Sequence, residues 1–354
     1  MTTHRARITL GMIGCGWVTQ TWHLPALRGL SDAEVVAVAD CDARQARLAA
    51  ERFHIPHRYE TAAALLKHPG LDAVAVCVPP QHHVEIALAA LKTDKHVLIE
   101  KPMALSLDGC DALAERAKET SALVMVGFNL RWHRLVRQAR TDLHNGALGR
   151  LSMIRAAFTN GVYRDTGLPA WRRHRAFGGG VLQDMAVHHF DLWRFLLESE
   201  IEEILVIAQP GSWEDETAAV TARMANSVLI SAAYSARTTD NHEMEFYGET
   251  GRLRLSCYRF DGLERHPLSR SSGGMAARVS RLASRVRDVP HAWSAVRHGG
   301  EMLASYRAQW RHFIACIQQR IPVECTVEDG WRAVQAALAA IESASSKRPV
   351  TLRR

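Results

Sequence analysis

The sequence predicts two domains: a doubly wound α/β domain over residues 1–128, and an α+β domain with an open, mostly antiparallel mixed sheet over residues 129–354. Three observations predict this architecture. The chain has 354 residues, and at about 150 residues per domain this length suffices for two hydrophobic cores. Strand-like and helical segments alternate in the first half, whereas strand-like segments follow one another directly in the second half.

In the first half, near-continuous apolar runs are separated by helical segments, which is typical of a parallel sheet covered on both faces. The predicted strands span 7–13, 34–39, a short stretch near 59, 73–78, 96–99 and 123–127. Five helices are predicted between these strands. The first ends near 29, the second spans 43–53, the third begins at 61, the fourth spans 83–91 and the fifth begins after 107. The fourth strand ends at Pro79-Pro80 because proline has no amide hydrogen to donate to a neighbouring strand.

The second half changes character at about residue 150. Strands are predicted over 151–159, 201–209, 216–225, 227–236, 242–248 and 252–258, with one strong helix over 180–198 among them. Consecutive strands of this kind favour an antiparallel or mixed sheet. Two helices, 302–320 and 328–345, close the chain; they are assigned to the second domain, with packing back onto the first left open.

The composition narrows the class of protein. The seven cysteines are scattered without a C-x-x-C pair, so neither a disulfide framework nor a cysteine-rich zinc site is indicated. No apolar run approaches the about 18 residues of a membrane span, and the N-terminus leads into a strand without a signal core. A reducing cytoplasmic compartment, with no membrane partner, is therefore expected.

The net charge of +7 is concentrated in one segment. Residues 270–300 carry six arginines against one aspartate, so the remaining chain is nearly neutral and no nucleic-acid partner is expected. Apolar residues within this segment recur at helical spacing, which predicts an amphipathic helix with an arginine-rich outer face. Two interpretations stay open: a solvated face or subunit contact, or a surface that receives an anionic substrate.

A glycine-rich turn follows the first predicted strand and reads Gly14-x-Gly16-x-x-Thr19. Between a strand and a helix, this spacing is typical of a dinucleotide site, in which Gly14 permits the turn and Gly16 lets the backbone approach the pyrophosphate. Asp40 ends the second strand, where a carboxylate accepts hydrogen bonds from ribose hydroxyls and repels a 2′-phosphate. The cofactor is therefore predicted to be NAD, with NADP the alternative.

An ordered series of motifs runs through nearly the whole chain. It comprises VPPQHH (78–83), HVLIEKP (96–102), GFNLR (127–131), NGALG (145–149), GGGVLQD (178–184) with His188 and Asp191 beyond it, YGETG (247–251) and the stretch 306–313. With this series the sequence resembles the Gfo/Idh/MocA family, the relatives of glucose-fructose oxidoreductase and inositol dehydrogenase. The resemblance implies a Rossmann domain, a second domain with an open mixed sheet, and a homodimer or homotetramer.

The fingerprint and the resemblance together predict the cofactor contacts. They are Gly14, Gly16, Trp17, Val18, Asp40, Val78, Pro79, His83, Glu100, Lys101 and Asn129. For His83, capping or packing of its own helix is the alternative. The family commonly has Thr-Pro-Asn where this chain has Val78-Pro79-Pro80, so one asparagine contact near the cofactor is missing.

Three ionisable residues of the strong helix are spaced so that they share one face. Asp184, His188 and Asp191 stand at i, i+4 and i+7, and apolar residues occupy the opposite face. A carboxylate one turn before an imidazole can orient it and favour its protonated form. A structural histidine is the alternative, and no metal is expected because His188 and His189 point to different sides of a helix.

The resemblance assigns the catalytic roles to Lys101, Asp184 and His188. It implies that His188 removes or returns a hydroxyl proton, that Lys101 polarises the same oxygen, and that Asp184 tunes the histidine. The further substrate contacts predicted are Arg131, Tyr163, Trp171 and Arg172, with a surface or packing role as the alternative for each.

The predicted function is that of an NAD-dependent oxidoreductase that acts on a carbinol or ketone carbon of a sugar, sugar derivative or cyclitol. Two alternatives stay open: an NADPH-dependent keto-sugar reductase of a biosynthetic pathway, and a regulator that senses a dinucleotide without turnover. The complete set of Lys101, Asp184 and His188 argues against the regulator, since a sensor has no need of an acid/base group.

Overall fold

The computed structural model describes residues 7–161, 169–268, 300–319 and 321–353. Its contacts divide the chain into two compact units. The first contains the described residues up to Asn129 together with Ala176–Gly178 and Ser305–Val334, and the second contains Leu130–Arg175, Gly179–Ala304 and Gln335–Arg354 within those limits. Tyr163 and the arginine-rich segment 270–299 lie outside the described residues.

The first unit is built on a six-stranded parallel sheet with the order β3-β2-β1-β4-β5-β6. The strands are β1 (Ile8–Ile13), β2 (Ala33–Ala39), β3 (His57–Tyr59), β4 (Ala73–Val76), β5 (His96–Ile99) and β6 (Val124–Val126). Every residue of β4 is buried, as the apolar run predicts for a central strand covered on both faces. The strand order reverses between β1 and β4, and at such a point α/β sheets form their ligand crevice.

Helices connect these strands. They are α1 (Leu24–Leu27), preceded by a π-helical turn over Thr19–His23, then α2 (Ala43–Phe53), α3 (Ala62–Leu66), α4 (His83–Lys92) and α5 (Leu107–Lys118). Side chains cap three of them: Asp42, Thr61 and Ser106 each accept a backbone amide hydrogen of the first turn. The predicted alternation of strands and helices is confirmed.

The second unit contains an eight-stranded sheet with the order β13-β12-β11-β7-β10-β9-β8-β14. All pairs are antiparallel except β7 with β10, which confirms the predicted mixed sheet. The strands are β7 (Leu151–Thr159), β8 (Ile201–Gln209), β9 (Thr217–Met224), β10 (Leu229–Ser235), β11 (Asn241–Gly248), β12 (Gly251–Ser256), β13 (Leu263–Pro267) and β14 (Val350–Thr351).

Four longer helices complete the described chain. They are α6 (Arg134–His144), α7 (Val187–Leu197), α8 (Gly300–Gln319) and α9 (Val327–Ser346). In the second unit, inward side chains of the strands pack with α6, α7 and the later residues of α9 into one apolar core. Strand β9 alternates exposed and buried residues along its whole length, so only one face of the sheet belongs to this core. No helix of the described chain is long and apolar enough to cross a membrane.

Two local differences from the sequence prediction concern the second unit. The strong helix expected over 180–198 is a π-helical turn, Leu182–Ala186, followed by α7. Helix α6 and strands β13 and β14 were not predicted, since α6 is mostly polar, β13 is a polar edge strand and β14 has two residues.

Three histidines lie buried in the second unit and have little hydrogen bonding. His242 stacks on Phe158 with ring centroids 4.0 Å apart, and His189 lies 5.1 Å from His242 and is hydrogen-bonded to Tyr234. Neither ring nitrogen of His242 has a hydrogen-bond partner among the described residues. Burial lowers the pKa of His133 to about 4 and of His189 to about 3. Burial, with His189, His188 and His133 nearby, also lowers the pKa of His242.

These histidines predict acid-sensitive stability. A histidine whose folded pKa lies below its unfolded value contributes its full stability above the unfolded pKa of about 6.5 and loses it as the pH falls. Each such histidine lowers the free energy of unfolding by about 2 kcal/mol as the pH falls from about 6.5 to about 5. The free energy of unfolding, measured by denaturant titration, is expected to fall over this range. His242→Phe is expected to reduce the slope of unfolding free energy against pH by the equivalent of about one proton. The exposed-site control His82→Gln should keep the wild-type slope; an equal slope in His242→Phe would contradict this account.

Candidate active site

The glycine-rich turn sits at the carboxyl end of β1, where the order of the parallel sheet reverses. Gly14 has φ +92°, and a Cβ there would lie 2.4 Å from the carbonyl oxygen of Cys77, so only glycine fits. No atom lies within 4 Å of a Cβ built on Gly16, which leaves the loop open on that side. Thr19, in place of the third glycine, donates from its hydroxyl to the Gly14 carbonyl at 2.6 Å and so holds the turn.

The two residues after Gly16 differ in exposure. The indole of Trp17 is 56% exposed and meets Trp22 edge-on, with ring centroids 6.1 Å apart. Val18 is half-buried and precedes the π-helical turn. The loop therefore presents one large aromatic side chain beside its open backbone.

Asp40 lies just beyond β2 with its carboxylate against the glycine-rich turn. One oxygen accepts the amide hydrogen of Cys15 at 2.7 Å, and the other accepts that of Asp42 at 2.9 Å. Each carboxylate oxygen has a second lone pair, so the group can still accept hydrogen bonds from two hydroxyls. Within the first unit, the structure thus brings Asp40 together with the turn, as a ribose anchor requires.

His83 joins two of the predicted cofactor segments. Its ring nitrogens lie 2.8 Å from the carbonyl oxygens of Val78 and Pro102, and the residue is 1% exposed. Burial lowers its pKa. This placement lets His83 fix the path of the chain at Val78-Pro79 and at Lys101-Pro102, whose peptide bond is cis.

The side chain of Glu100 is buried inside the first unit. Its Oε1 lies 2.9 Å from Nε2 of His23, and its Oε2 accepts the amide hydrogen of Lys101 at 3.2 Å. Burial raises the pKa of Glu100, but the His23 hydrogen bond and the neighbouring Lys101 outweigh burial, so the pKa is lowered. The carboxylate is therefore ionised beside Lys101.

Asn129, the last predicted cofactor residue, is also buried. Its side-chain amide donates to the hydroxyl of Ser305 at 3.0 Å. Ser305 lies in the part of α8 that belongs to the first unit. The C-terminal part of the chain therefore helps to hold this position of the first unit.

In the second unit, ion pairs flank the accessible histidine. Asp184, within the π-helical turn, accepts a hydrogen bond from Arg172 Nη1 at 2.7 Å, and Arg172 also lies over the ring of Trp171. Asp191 binds the guanidinium of Arg131 through both oxygens, at 2.8 and 2.5 Å, and both residues are buried. Two predicted substrate residues, Arg131 and Arg172, are thus paired with carboxylates of the predicted helical face.

His188 differs from its neighbours in exposure. Within residues 181–193, all of which the structure describes, it is the one residue that is not buried. His189 beside it is fully buried and is hydrogen-bonded to Tyr234. The two histidines therefore occupy different environments, His189 in the core and His188 at the surface of that core.

Close packing against the segment that carries Arg172 explains the glycine triplet 178–180 before this helix. A Cβ on Gly179 would lie 2.2 Å from the carbonyl oxygen of Arg172, so the chain that carries Arg172 passes directly against it. The amide of Gly180 also donates to that carbonyl at 2.9 Å. The triplet thereby sets the position of Arg172 relative to Asp184.

Sequence reasoning missed three elements of these two clusters. In the first unit they are His23, which lies beside Glu100, and Trp310, which donates to His23 at 3.2 Å; these partners are far apart along the chain. In the second unit it is the pairing of Asp184 with Arg172, which is one of many arginines in the sequence. Lys101 belongs to the first unit, whereas Asp184 and His188 belong to the second. Among the described residues, no group of three or more histidine, cysteine or acidic side chains could hold a metal ion.

The chain matches two family models. An oxidoreductase family model with an NAD-binding Rossmann fold covers residues 8–128, and the model of the same family's C-terminal alpha/beta domain covers residues 140–352.

Curated relatives match over almost the whole chain. Myo-inositol 2-dehydrogenase of Thermotoga maritima is 28% identical over 97% of this chain and 98% of its own. D-apiose dehydrogenase of Paraburkholderia graminis is 27% identical over 99% and 92%.

Among solved structures, a levoglucosan dehydrogenase in complex with NADH and levoglucosan has a TM-score of 0.83 at 21% identity, with 98% of this chain and 100% of that chain covered. This likeness agrees with the fold described above. On the two family models, the chain belongs to the Gfo/Idh/MocA family of oxidoreductases.

Proposed function

We propose that the protein is an NAD-dependent dehydrogenase or reductase that interconverts a secondary alcohol and a ketone on a sugar or cyclitol. The observation that carries this proposal is the partial exposure of His188, the one residue from 181 to 193 that is not buried. A general acid/base has to reach its substrate, whereas a structural histidine such as His189 is enclosed.

The residues of the first unit fit a dinucleotide. Gly14 and Gly16 leave a backbone cradle that a Cβ at Gly14 would fill, and Asp40 stands at the end of β2 with acceptor capacity for ribose hydroxyls. These residues, with Trp17, Val18, Val78, Pro79, Lys101 and Asn129, would hold the cofactor. When bound, its nicotinamide ring accepts or returns the hydride of the reaction.

The acid/base chemistry falls to His188. In the direction of oxidation, the neutral imidazole takes the proton of the substrate hydroxyl, and in the direction of reduction the imidazolium returns it. Asp184 is ion-paired with Arg172 and stands one helical turn before His188, where a carboxylate favours the imidazolium form. Lys101 keeps the role that the family resemblance implies, which is to polarise the substrate oxygen.

The substrate class follows from the relatives. They are named for inositol and D-apiose, which are polyhydroxylated compounds. We therefore expect a polyol or keto-sugar as substrate, with Trp171 and Arg172 as contacts in addition to His188. Arg131 is the weaker candidate because Asp191 occupies its guanidinium.

The first prediction from this proposal concerns His188. His188→Ala is expected to lower kcat by about 10²- to 10⁴-fold, since a general acid/base contributes a factor of this size. NADH affinity, measured by fluorescence titration, should stay within about twofold because the residue lies outside the first unit. His144→Ala, at an exposed histidine of α6, is the matched control. Wild-type kcat in His188→Ala would remove this residue from the mechanism.

The second prediction concerns Asp40 and the choice of cofactor. Asp40→Ser removes a charged acceptor, so the KM for NAD is expected to rise by about tenfold or more. The KM for NADP should fall at the same time, because the carboxylate no longer repels the 2′-phosphate. Asp32→Ser is the control. A rise in both KM values would indicate only a damaged turn, and a wild-type preference for NADP would refute the NAD assignment.

The open face of the second unit's sheet supports assembly into a homodimer or homotetramer. Large apolar side chains are exposed on it, among them Ile207 at 76% and Leu229 at 53%. Leu229 on β10 lies opposite the exposed Met153 on the neighbouring strand β7. Strand β9, between β10 and β8, exposes small residues such as Ala219. An apolar surface of this kind is typical of a protein interface, and a second copy offers the same surface.

The third prediction tests this assembly. Ile207→Glu places a charge on the open face and is expected to shift the solution mass, measured by light scattering, to that of the monomer. Leu48→Glu, at an exposed leucine of the first unit, should leave the mass unchanged. A wild-type monomer, or an Ile207→Glu variant with the wild-type mass, would contradict the proposed interface.

A further inference from the structure

Three buried side chains of the first unit form one hydrogen-bonded chain that ends beside Lys101. They come from distant segments: His23 from the π-helical turn, Glu100 from the end of β5, and Trp310 from α8. Trp310 Nε1 donates to His23 Nδ1 at 3.2 Å, and His23 Nε2 lies 2.9 Å from Glu100 Oε1. His23 and Trp310 are fully buried, and Glu100 is 7% exposed.

The orientation of the His23 ring is fixed by aromatic contacts. Tyr306 and Trp310 meet it edge-on, at centroid distances of 5.0 and 5.8 Å and interplanar angles of 77° and 80°. These two residues are one helical turn apart on α8, so a single helix face clamps the imidazole. The ring therefore cannot swing away from Glu100 without disturbing α8.

The indole of Trp310 also decides where the His23 proton sits. Burial lowers the pKa of His23, but the side chains of Cys77 and Glu100 outweigh burial and raise it to about 10. An indole nitrogen only donates, so the Trp310 hydrogen bond uses Nδ1 of His23 as its acceptor and opposes protonation at that nitrogen. The nitrogen that carries a proton in this arrangement is Nε2, which donates to Oε1 of Glu100.

The Glu100 carboxylate connects His23 to the backbone of Lys101. Its Oε2 accepts the Lys101 amide hydrogen at 3.2 Å, while Oε1 is held by His23. Gly127 closes the remaining side: a Cβ there would lie 3.0 Å from Glu100 Oε1. Both carboxylate oxygens are thus held next to the backbone of Lys101.

We propose that Trp310 and His23 are positioning residues for Lys101, acting through the carboxylate of Glu100. This inference rests on the proposed function, in which Lys101 polarises the substrate oxygen. A hydrogen-bonded chain that served packing alone would be an expensive solution, since apolar residues of similar volume are often as stable in a core. The chain ends instead on the one residue to which the resemblance gives a catalytic role in this unit.

The first test compares two tryptophan variants. Trp310→Phe keeps an aromatic ring and removes the indole donor, and we expect kcat to fall by about fivefold to tenfold with little change in NADH affinity. Trp331→Phe removes an indole hydrogen bond to Asp111 in the same unit and is the matched control, expected to keep wild-type kcat. Equal kcat values in the two variants would overturn the proposal, as would a loss confined to KM.

The second test examines His23 through a conservative replacement. His23→Gln can still donate to Glu100 and accept from Trp310, whereas His23→Leu can do neither. We expect His23→Gln to retain most of the wild-type kcat and His23→Leu to lose at least as much as Trp310→Phe. The opposite order, or equal losses with both variants folded, would overturn the proposal.

A readout without turnover separates this inference from the proposed function. The chain has six lysines, so the ¹³C-dimethylated Lys101 can be identified by nuclear magnetic resonance against a Lys101→Arg variant. We expect its resonance to shift in Trp310→Phe and to stay in place in Trp331→Phe. An unshifted resonance in Trp310→Phe would overturn the positioning role, whereas a shift in a protein that turns over no polyol would refute only the proposed function.

Discussion

The hydrogen bond between His23 and Glu100 is the constraint on which the first unit's site depends. It joins residues 77 positions apart, and its second partner, Trp310, stands 287 positions from His23. Through this bond the helix after the glycine-rich turn, the end of β5 and helix α8 share one buried centre. Since all three side chains are buried, removal of one leaves the others with unpaired polar groups, a cost larger than the net value of the bond.

In the second unit, ion pairs rather than a hydrogen-bonded chain hold the side chains around His188 in place. The carboxylates of Asp184 and Asp191 each hold an arginine, and from residue 181 to 193 every residue except His188 is buried. A rigid surround with one accessible imidazole is what acid/base chemistry requires, because the reacting group has to be held while its neighbours stay fixed. Each unit also contains a π-helical turn at its cluster, one ending at His23 and one containing Asp184. Such turns are frequent at functional sites.

Much of the fold could be predicted from the sequence because it follows from patterns that are local. The apolar run at β4 and the turn at Gly14 each have one structural solution, and the parallel sheet follows from their order. Helix α6 was missed because its 11 residues are mostly polar, and β13 because it is a polar edge strand. In both cases packing against neighbouring elements outweighs local sequence preference.

The candidate site was predictable only in part, for a physical reason. At Asp40, Lys101, Asp184 and His188, the residue type and its position in a motif indicate a chemical role. Which side chains pair with one another depends instead on which segments the fold brings together. Arg172 could have been a substrate contact or the partner of Asp184, and the sequence alone did not distinguish them. The same holds for Trp310, whose indole nitrogen has a role only because His23 lies opposite it.

The central claim is that the protein turns over a polyhydroxylated substrate with NAD(H). The most direct measurement follows the absorbance of NADH while the protein is mixed with NAD and a panel of cyclitols and sugars, and with NADH and the matching keto compounds. The account predicts steady turnover with at least one member of the panel in both directions. Tight binding of NADH without turnover of any member would contradict it and would favour a protein that senses the dinucleotide.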